Sequence, residues 1–503
     1  MVRIFLVSVV VLVSTACGGD HGQSQCQSVV PPPAACMTTC DPMPGAPVTC
    51  PGGFHCTPDG MCDALCTPTG GQCGNGYHCT TDGQCLSDTG CNGLQCQIVD
   101  CAGQGMPSTT VTGTVFAPNG TLPLYGVDVY VPNQPVPAFT AGAQCTRCTT
   151  DLPGSPVARA VSDEAGHFSI SDVPSGDNIP LVISIGKWRR QIVIPHVNQC
   201  AANTLTATTT SLPKKSSEGD LPKIAITTGN ADSLECLIRK LGVDDSEIST
   251  SGGAGKVHLY EGNGVNKLKA GFPGGSGQTL TSATPFWSSA ANLMPYDIVI
   301  LSCEGAQNPA TKPQAALDAM KAYADIGGRV FASHWHNIWI EGSTQGGGNQ
   351  KPAVWPGIAT WSNGGATGAG TTDLIDETNN AKGASFATWM LNVMGSTVKD
   401  QIAIQDGTGK STCTQVNNAK GERWTYLQGQ GGSTQNFQFT TPNEAPVDTR
   451  CGKVVFSDMH VSGGPMANMD YPDSCGGGLT LSPQEKALAF MFFDISSCVG
   501  SIF

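Results

Sequence analysis

Three short stretches combine side chains that can hold a metal ion or move a proton: Cys303-Glu304, His334-Trp335-His336 and Asp458-Met459-His460. Imidazoles with one or two carboxylates suit Zn²⁺ or a similar divalent ion that activates water or polarises a carbonyl, and the metal set read here is His334, His336, His460 and Asp458. Without a metal, Glu304 and His334 would serve as acid and base. Hydrogen-bonded burial is the third reading of the same residues. His334 and His336 face one way only if the chain stays extended through both; a turn at Ser333 separates them. Cys303 is a candidate nucleophile, or a disulfide partner of Cys236, Cys413, Cys451, Cys475 or Cys498.

The elements that must position these groups surround them. Residues 297–301 and 329–332 are short runs rich in β-branched side chains. Between them Ala316, Leu317, Met320, Tyr323 and Ala324 recur at helical spacing, with Pro313 placed at the first helical position. Such a strand–helix–strand unit belongs in an open, mostly parallel, flavodoxin-like sheet whose chemistry gathers at the carboxyl ends of strands. Residues 223–229 and 257–260 give two more strands, and 230–241 a helix. Residues 453–460 give a last strand, and Ser482-Pro483-Gln484-Glu485 a capping box for a final helix. The Gly-, Thr- and Asn-rich insertion 341–382 is expected to act as a lid or a binding element. Trp335, Trp339, Trp355 and Trp361 lie around it, either as stacking faces for sugar rings or as core.

The 503 residues carry 26 Lys plus Arg against 39 Asp plus Glu, a formal charge of −13, with no basic cluster, which argues against a nucleic-acid partner. Residues 1–17 read as a secretory leader: Arg3, an apolar run, then small residues ending at Cys17. Export permits disulfides, and 23 cysteines call for them. Within 18–104, Cys50-PGGFH-Cys56-TPDGM-Cys62 repeats as Cys73-GNGYH-Cys79-TTDGQ-Cys85. Covalent staples stand in for a core there. His55 and His78 hold one position of the repeat and read as structural more than zinc-binding. The 13 cysteines from Cys26 to Cys101 are odd in number, so one reaches a later domain or stays free. Residues 109–212 alternate like a β-sandwich. Cys145-Thr146-Arg147-Cys148 reads as structural disulfides, and 213–221 as a polar linker.

Four resemblances follow from these motifs. Ser14-Thr15-Ala16-Cys17 resembles the lipobox of bacterial lipoproteins, which implies a lipidated Cys17, a membrane anchor and, with Asp only at 20, the outer membrane. The 18–104 repeat resembles EGF-like modules. Residues 162–176 resemble the signature hairpin of carboxypeptidase regulatory-like domains, implying a prealbumin-like sandwich without catalytic residues. The pattern Tyr323-x-x-x-Gly327-Gly328-x-Val330-x-x-x-His334 resembles the ThuA-like branch of the class I glutamine amidotransferase-like fold over 222–503. That family places its nucleophilic cysteine on an elbow where this chain has Ser333 and His334, and its members are associated with sugar metabolism. The expectation is thus a multidomain chain: disulfide-rich module, all-β sandwich, then α/β domain. It would be an envelope lipoprotein that binds or scaffolds, with carbohydrate as candidate ligand. The alternative is an envelope enzyme acting on sugars or related carbonyl compounds.

Overall fold

A computed structural model describes residues 91–148, 152–343, 351–405, 407–461, 469–476 and 478–500 in unbroken stretches, with shorter pieces between Cys26 and Ser87. The leader 1–17, Cys17 and the tether behind it lie outside the described residues, as does Cys73. Among the described residues no helix is long and apolar enough to cross a membrane. The chain divides into two compact units, 1–96 and 97–503.

In the first unit the repeat gives the same device twice. His55–Cys56 pairs antiparallel with Cys62–Asp63, and Tyr77–Cys79 with Cys85–Ser87, so that Cys56 faces Cys62 and Cys79 faces Cys85. Bonds Cys26–Cys36, Cys40–Cys56, Cys50–Cys62 and Cys91–Cys96 staple it.

The second unit begins with two sheets. One joins Trp188–Val197, Gly176–Ile185, Asp128–Pro132 and Pro156–Val161; the other joins Ala202–Thr204, Thr110–Thr114 and His167–Ile170. Burial alternates along His167–Ile170, as expected of a strand with one face inward. The 162–166 turn is not a hairpin: the strands it connects lie in different sheets, so it carries the chain across a corner. Asp163 Oδ1 accepts from the backbone N–H of Ala165 and His167, both at 2.8 Å, and fixes that corner. Among the described bonds of the Cys26 to Cys101 segment, that of Cys101 reaches past it, to Cys200.

The rest is organised by an eleven-stranded sheet. In chain order its main strands are β1 (Ile224–Thr227), β2 (Ile248–Thr250), β3 (Val257–Glu261), β4 (Ile298–Leu301), β5 (Arg329–Ser333), β6 (Thr372–Ile375), β7 (Gln401–Ala403), β8 (Glu422–Leu427), β9 (Thr434–Thr441) and β10 (Gly452–Ser457). Across the sheet they run β2-β3-β1-β4-β5-β10-β9-β8-β6-β7. Pairing is parallel from β2 to β10 and antiparallel from there to β7. The parallel half matches the expected open, mostly parallel sheet, and the antiparallel wing departs from it. Helices α1 (Leu234–Lys240), α2 (Gln314–Asp325), α3 (Gly383–Asn392) and α4 (Pro483–Ser496) complete the layers. Ala316, Leu317, Met320 and Tyr323 of α2 share one buried cluster with Val299, Leu301, Val330, Ala332, Val454 and Phe456. Ser482 and Glu485 close the capping box of α4.

The expected linker 213–221 is tied down rather than free. Glu218 accepts from Arg190 at 2.7 Å and from the Lys214 N–H at 3.0 Å, and Asp220 pairs with Arg189. Cys145 and Cys148 bond to Cys451 and Cys498, so one loop of the β region is bolted twice to the last strands and helix. Cys236 takes Cys475. Cys303 is not in a disulfide: of its expected partners Cys236, Cys451, Cys475 and Cys498 are committed elsewhere, and Cys413 is, like Cys303, a free, buried thiol.

Candidate functional site

The carboxyl ends of β1, β4, β5 and β10 meet where the parallel strand order changes direction, between β1 and β4. In open α/β sheets this is where ligands sit. Strand β5 ends at Ser333, and His334 turns out of it with φ +42°, opening a 3₁₀ turn His334–Asn337. A non-glycine residue in this left-handed region is strained, and the turn sends the two histidines apart.

His334 turns inward. Its Nδ1 lies 3.5 Å from Cys303 Sγ, its Nε2 2.9 Å from Thr412 Oγ1, and its ring centroid 5.1 Å from that of His460. Donor atoms of Cys303, His334 and His460 all lie within 4.8 Å of one another, and all three residues are buried. His460 Nε2 has no hydrogen-bond partner among the described residues. The other triad of potential ligand atoms, Cys40, Cys50 and Cys56, is consumed by disulfides.

Around this cluster sits a polar frame. Asp458 Oδ2 accepts from the N–H groups of Thr412 and Cys413, both at 2.8 Å, and Ser333 Oγ donates to Asp232 at 2.8 Å. The strip 410–413 thus lies over the crest, held by Asp458 and His334. Burial sets the protonation: it pushes the Cys303 thiol up to about 12 and His460 down to about 3, and drives His334 well below its ordinary value. Asp458 is raised to about 7 by burial, against the opposing Cys413 and Thr412 N–H groups. Near neutrality the cluster therefore holds a thiol and neutral imidazoles, and ionising Cys303 at the expense of His334 runs against both shifts.

His336 leaves the metal set. Its Nε2 donates to the Ser302 carbonyl at 2.9 Å and its Nδ1 accepts from Trp339 Nε1 at 2.9 Å, so both ring nitrogens are occupied. Asp458 engages the strip through Oδ2, its Oδ1 has no hydrogen-bond partner among the described residues, and it is not among the grouped donors. Glu304 leaves the acid–base pair: its Oε2 accepts from Lys312 Nζ at 2.7 Å and Asn308 Nδ2 at 2.6 Å, with His336 the neighbouring imidazole at 3.9 Å. Burial alone would raise Glu304, but His336, Lys312 and Asn308 outweigh it and hold the carboxyl below its usual value.

The tryptophans do not form a stacking wall. Trp339 and Trp355 are buried, the latter donating to Thr441 Oγ1 at 3.1 Å, and Trp361 packs half-buried on Phe456. Trp335 lies half-buried against the His334 ring at 4.6 Å. The argument for carbohydrate from exposed aromatic faces goes with them. Thr412 and Lys312 are not singled out by the sequence. Lys312, eight residues after Glu304, was the readable one, since a carboxylate at a buried strand end needs a cation.

No family model matches the chain, and no curated protein matches it. Among solved structures, a ThuA-like protein of Bacteroides uniformis is 10% identical, covering 54% of this chain and 91% of that one at a TM-score of 0.29. A cytoplasmic protein of Salmonella typhimurium is 12% identical, with 55% and 99% covered and a TM-score of 0.30. A chain of a type II cohesin–X-dockerin complex from Acetivibrio cellulolyticus is 17% identical, with 28% and 76% covered and a TM-score of 0.14. At these TM-scores the likenesses assign no chemistry.

Proposed function

We propose that this chain is an exported protein of the cell envelope, lipid-anchored at Cys17, that binds or scaffolds rather than turning over a substrate. The observation that carries this reading is the closure of the crest. Cys303, His334 and His460 are 0%, 5% and 3% exposed, and the 410–413 strip is hydrogen-bonded over them. A substrate would have to displace that strip before meeting a thiol that burial keeps protonated. The strand-to-turn position at which the resembled family carries its nucleophile is filled here by His334. Disulfides in both units support export, because such bonds persist outside reducing compartments. The double bolt from Cys145 and Cys148 suits a chain whose task is to hold a surface rigidly.

A second reading, an envelope enzyme on sugars or related carbonyl compounds, is favoured by one contact, the 3.5 Å approach of Cys303 Sγ to His334 Nδ1. The test separates the two. The full-length oxidised chain and its His334→Ala variant are assayed on glutamine, simple esters and reducing sugars. Equal, background-level rates are expected, and turnover lost in the variant would overturn the binding reading. For the anchor, labelled fatty acid enters the wild type and not Cys17→Ser; no label in either would remove it.

A further inference from the structure

Cys303, left out of every disulfide, and His460, whose Nε2 is buried without a partner, face the same small space as His334. We infer that Cys303, His334 and His460 form a binding site for a thiolate-preferring transition-metal ion, zinc or copper, that pins the crest of the sheet. This goes beyond a binding or scaffolding role and does not depend on it.

The donor chemistry is specific. One sulfur and two imidazole nitrogens suit zinc and copper, and none of these atoms suits magnesium or calcium. A tetrahedral ion with bonds of about 2.0 to 2.3 Å sets its ligand atoms roughly 3.3 to 3.8 Å apart. The three donors, all within 4.8 Å, need only a small contraction to reach that spacing.

The surroundings fit as well. Thr412 Oγ1 holds His334 Nε2 at 2.9 Å, so that the Nδ1 lone pair can point toward Cys303. Orientation of a ligating imidazole through its other nitrogen is the usual outer-shell device. Binding replaces the Cys303 S–H bond with a sulfur–metal bond and releases the proton to solvent. An ion of charge 2+ with one thiolate retains one positive charge, which the nearby Asp232 and Asp458 carboxyls can offset; both act electrostatically on Cys303. The site also accounts for a buried free thiol persisting in a chain otherwise rich in disulfides.

The full-length chain is exported to an oxidising compartment with zinc, cobalt or copper supplied in turn, purified without chelator, and analysed for metal and free thiol. About one equivalent of ion per chain is expected, and the cobalt form should show a sulfur-to-cobalt charge-transfer band. Cys303→Ser should lose that band, and Thr412→Val should weaken retention by about 10- to 100-fold. Cys413→Ser, which removes the other free thiol among the described residues, should keep both the ion and the band. Less than about a tenth of an equivalent with all three metals, in folded chain with Cys303 reduced, would overturn the site. So would metal retained undiminished by a Cys303→Ser/His460→Gln double variant. If the variants fail to fold, the wild-type cobalt spectrum decides alone: no sulfur band means no such site.

Discussion

Lys312 reaches Glu304 with a 2.7 Å ion pair in which the two side chains are 0% and 3% exposed. The pair closes the underside of the crest, with Lys312 Nζ also 5.0 Å from the Trp287 ring centroid. Removing one partner leaves an uncompensated buried charge. Lys312→Met should therefore cost about 3 to 5 kcal/mol, and adding Glu304→Leu should recover much of it, because an apolar pair of similar volume avoids the desolvation penalty. Urea unfolding of the two variants checks this. A double variant no more stable than the single one would contradict the buried pair.

The bolts from Cys145 to Cys451 and from Cys148 to Cys498 close loops of 306 and 350 residues. Losing either, as in Cys145→Ser/Cys451→Ser, should lower stability by about 2 to 5 kcal/mol, mainly by freeing the unfolded chain. Denaturant midpoints under non-reducing conditions measure it. An unchanged midpoint would mean that packing alone holds the β region to the α/β sheet.

Trp339→Phe removes the donor that satisfies His336 Nδ1, a bond of 2.9 Å in the buried interior. The orphaned nitrogen should cost about 1 to 3 kcal/mol. A loss of sugar binding with stability unchanged would instead restore the reading of Trp339 as a stacking face.

Glu235 on α1 is 1% exposed, and burial raises its carboxyl to about 8. Its folded value lies above the unfolded one, so the neutral form's contribution is complete below about pH 4.5 and is lost as pH rises toward 8. Glu235→Gln should flatten that fall and stabilise the chain at pH 8 by on the order of 2 kcal/mol or more. Glu304 works in the opposite sense. Its folded value is depressed, so its contribution is present above the unfolded carboxyl value and is lost as pH falls through the folded one. Thermal unfolding between pH 4 and 9 on wild type and Glu235→Gln gives the Glu235 slope. Parallel curves for the two proteins would contradict the assignment to Glu235.

The parallel half of the sheet was legible because β1, β4, β5 and β10 are short runs of buried apolar residues flanked by turn and helix signals. The antiparallel wing was not. Its central strand β9, Thr434–Thr441, is buried throughout yet reads as polar, since Asn436 bonds to Thr425 and Gln438 to Glu422 across the sheet. No periodicity reveals a buried strand of that composition. In the site, strand ends pointed to His334 and His460, but the left-handed turn at His334 that removes His336 depends on backbone geometry. Thr412 comes from a segment 78 residues downstream of His334, beyond the reach of any local motif. Cys303 misled because free thiols are unexpected in an exported, cysteine-rich chain.

The most direct test of the closed crest is the alkylation rate of Cys303 by a small reagent in the native, oxidised full-length chain, read by peptide mass and compared with the denatured chain. A thiol that is fully buried and held protonated should react orders of magnitude more slowly in the native state. Labelling of native Cys303 at the rate of an exposed thiol would mean that the strip opens freely, and would contradict a protein that binds without turnover.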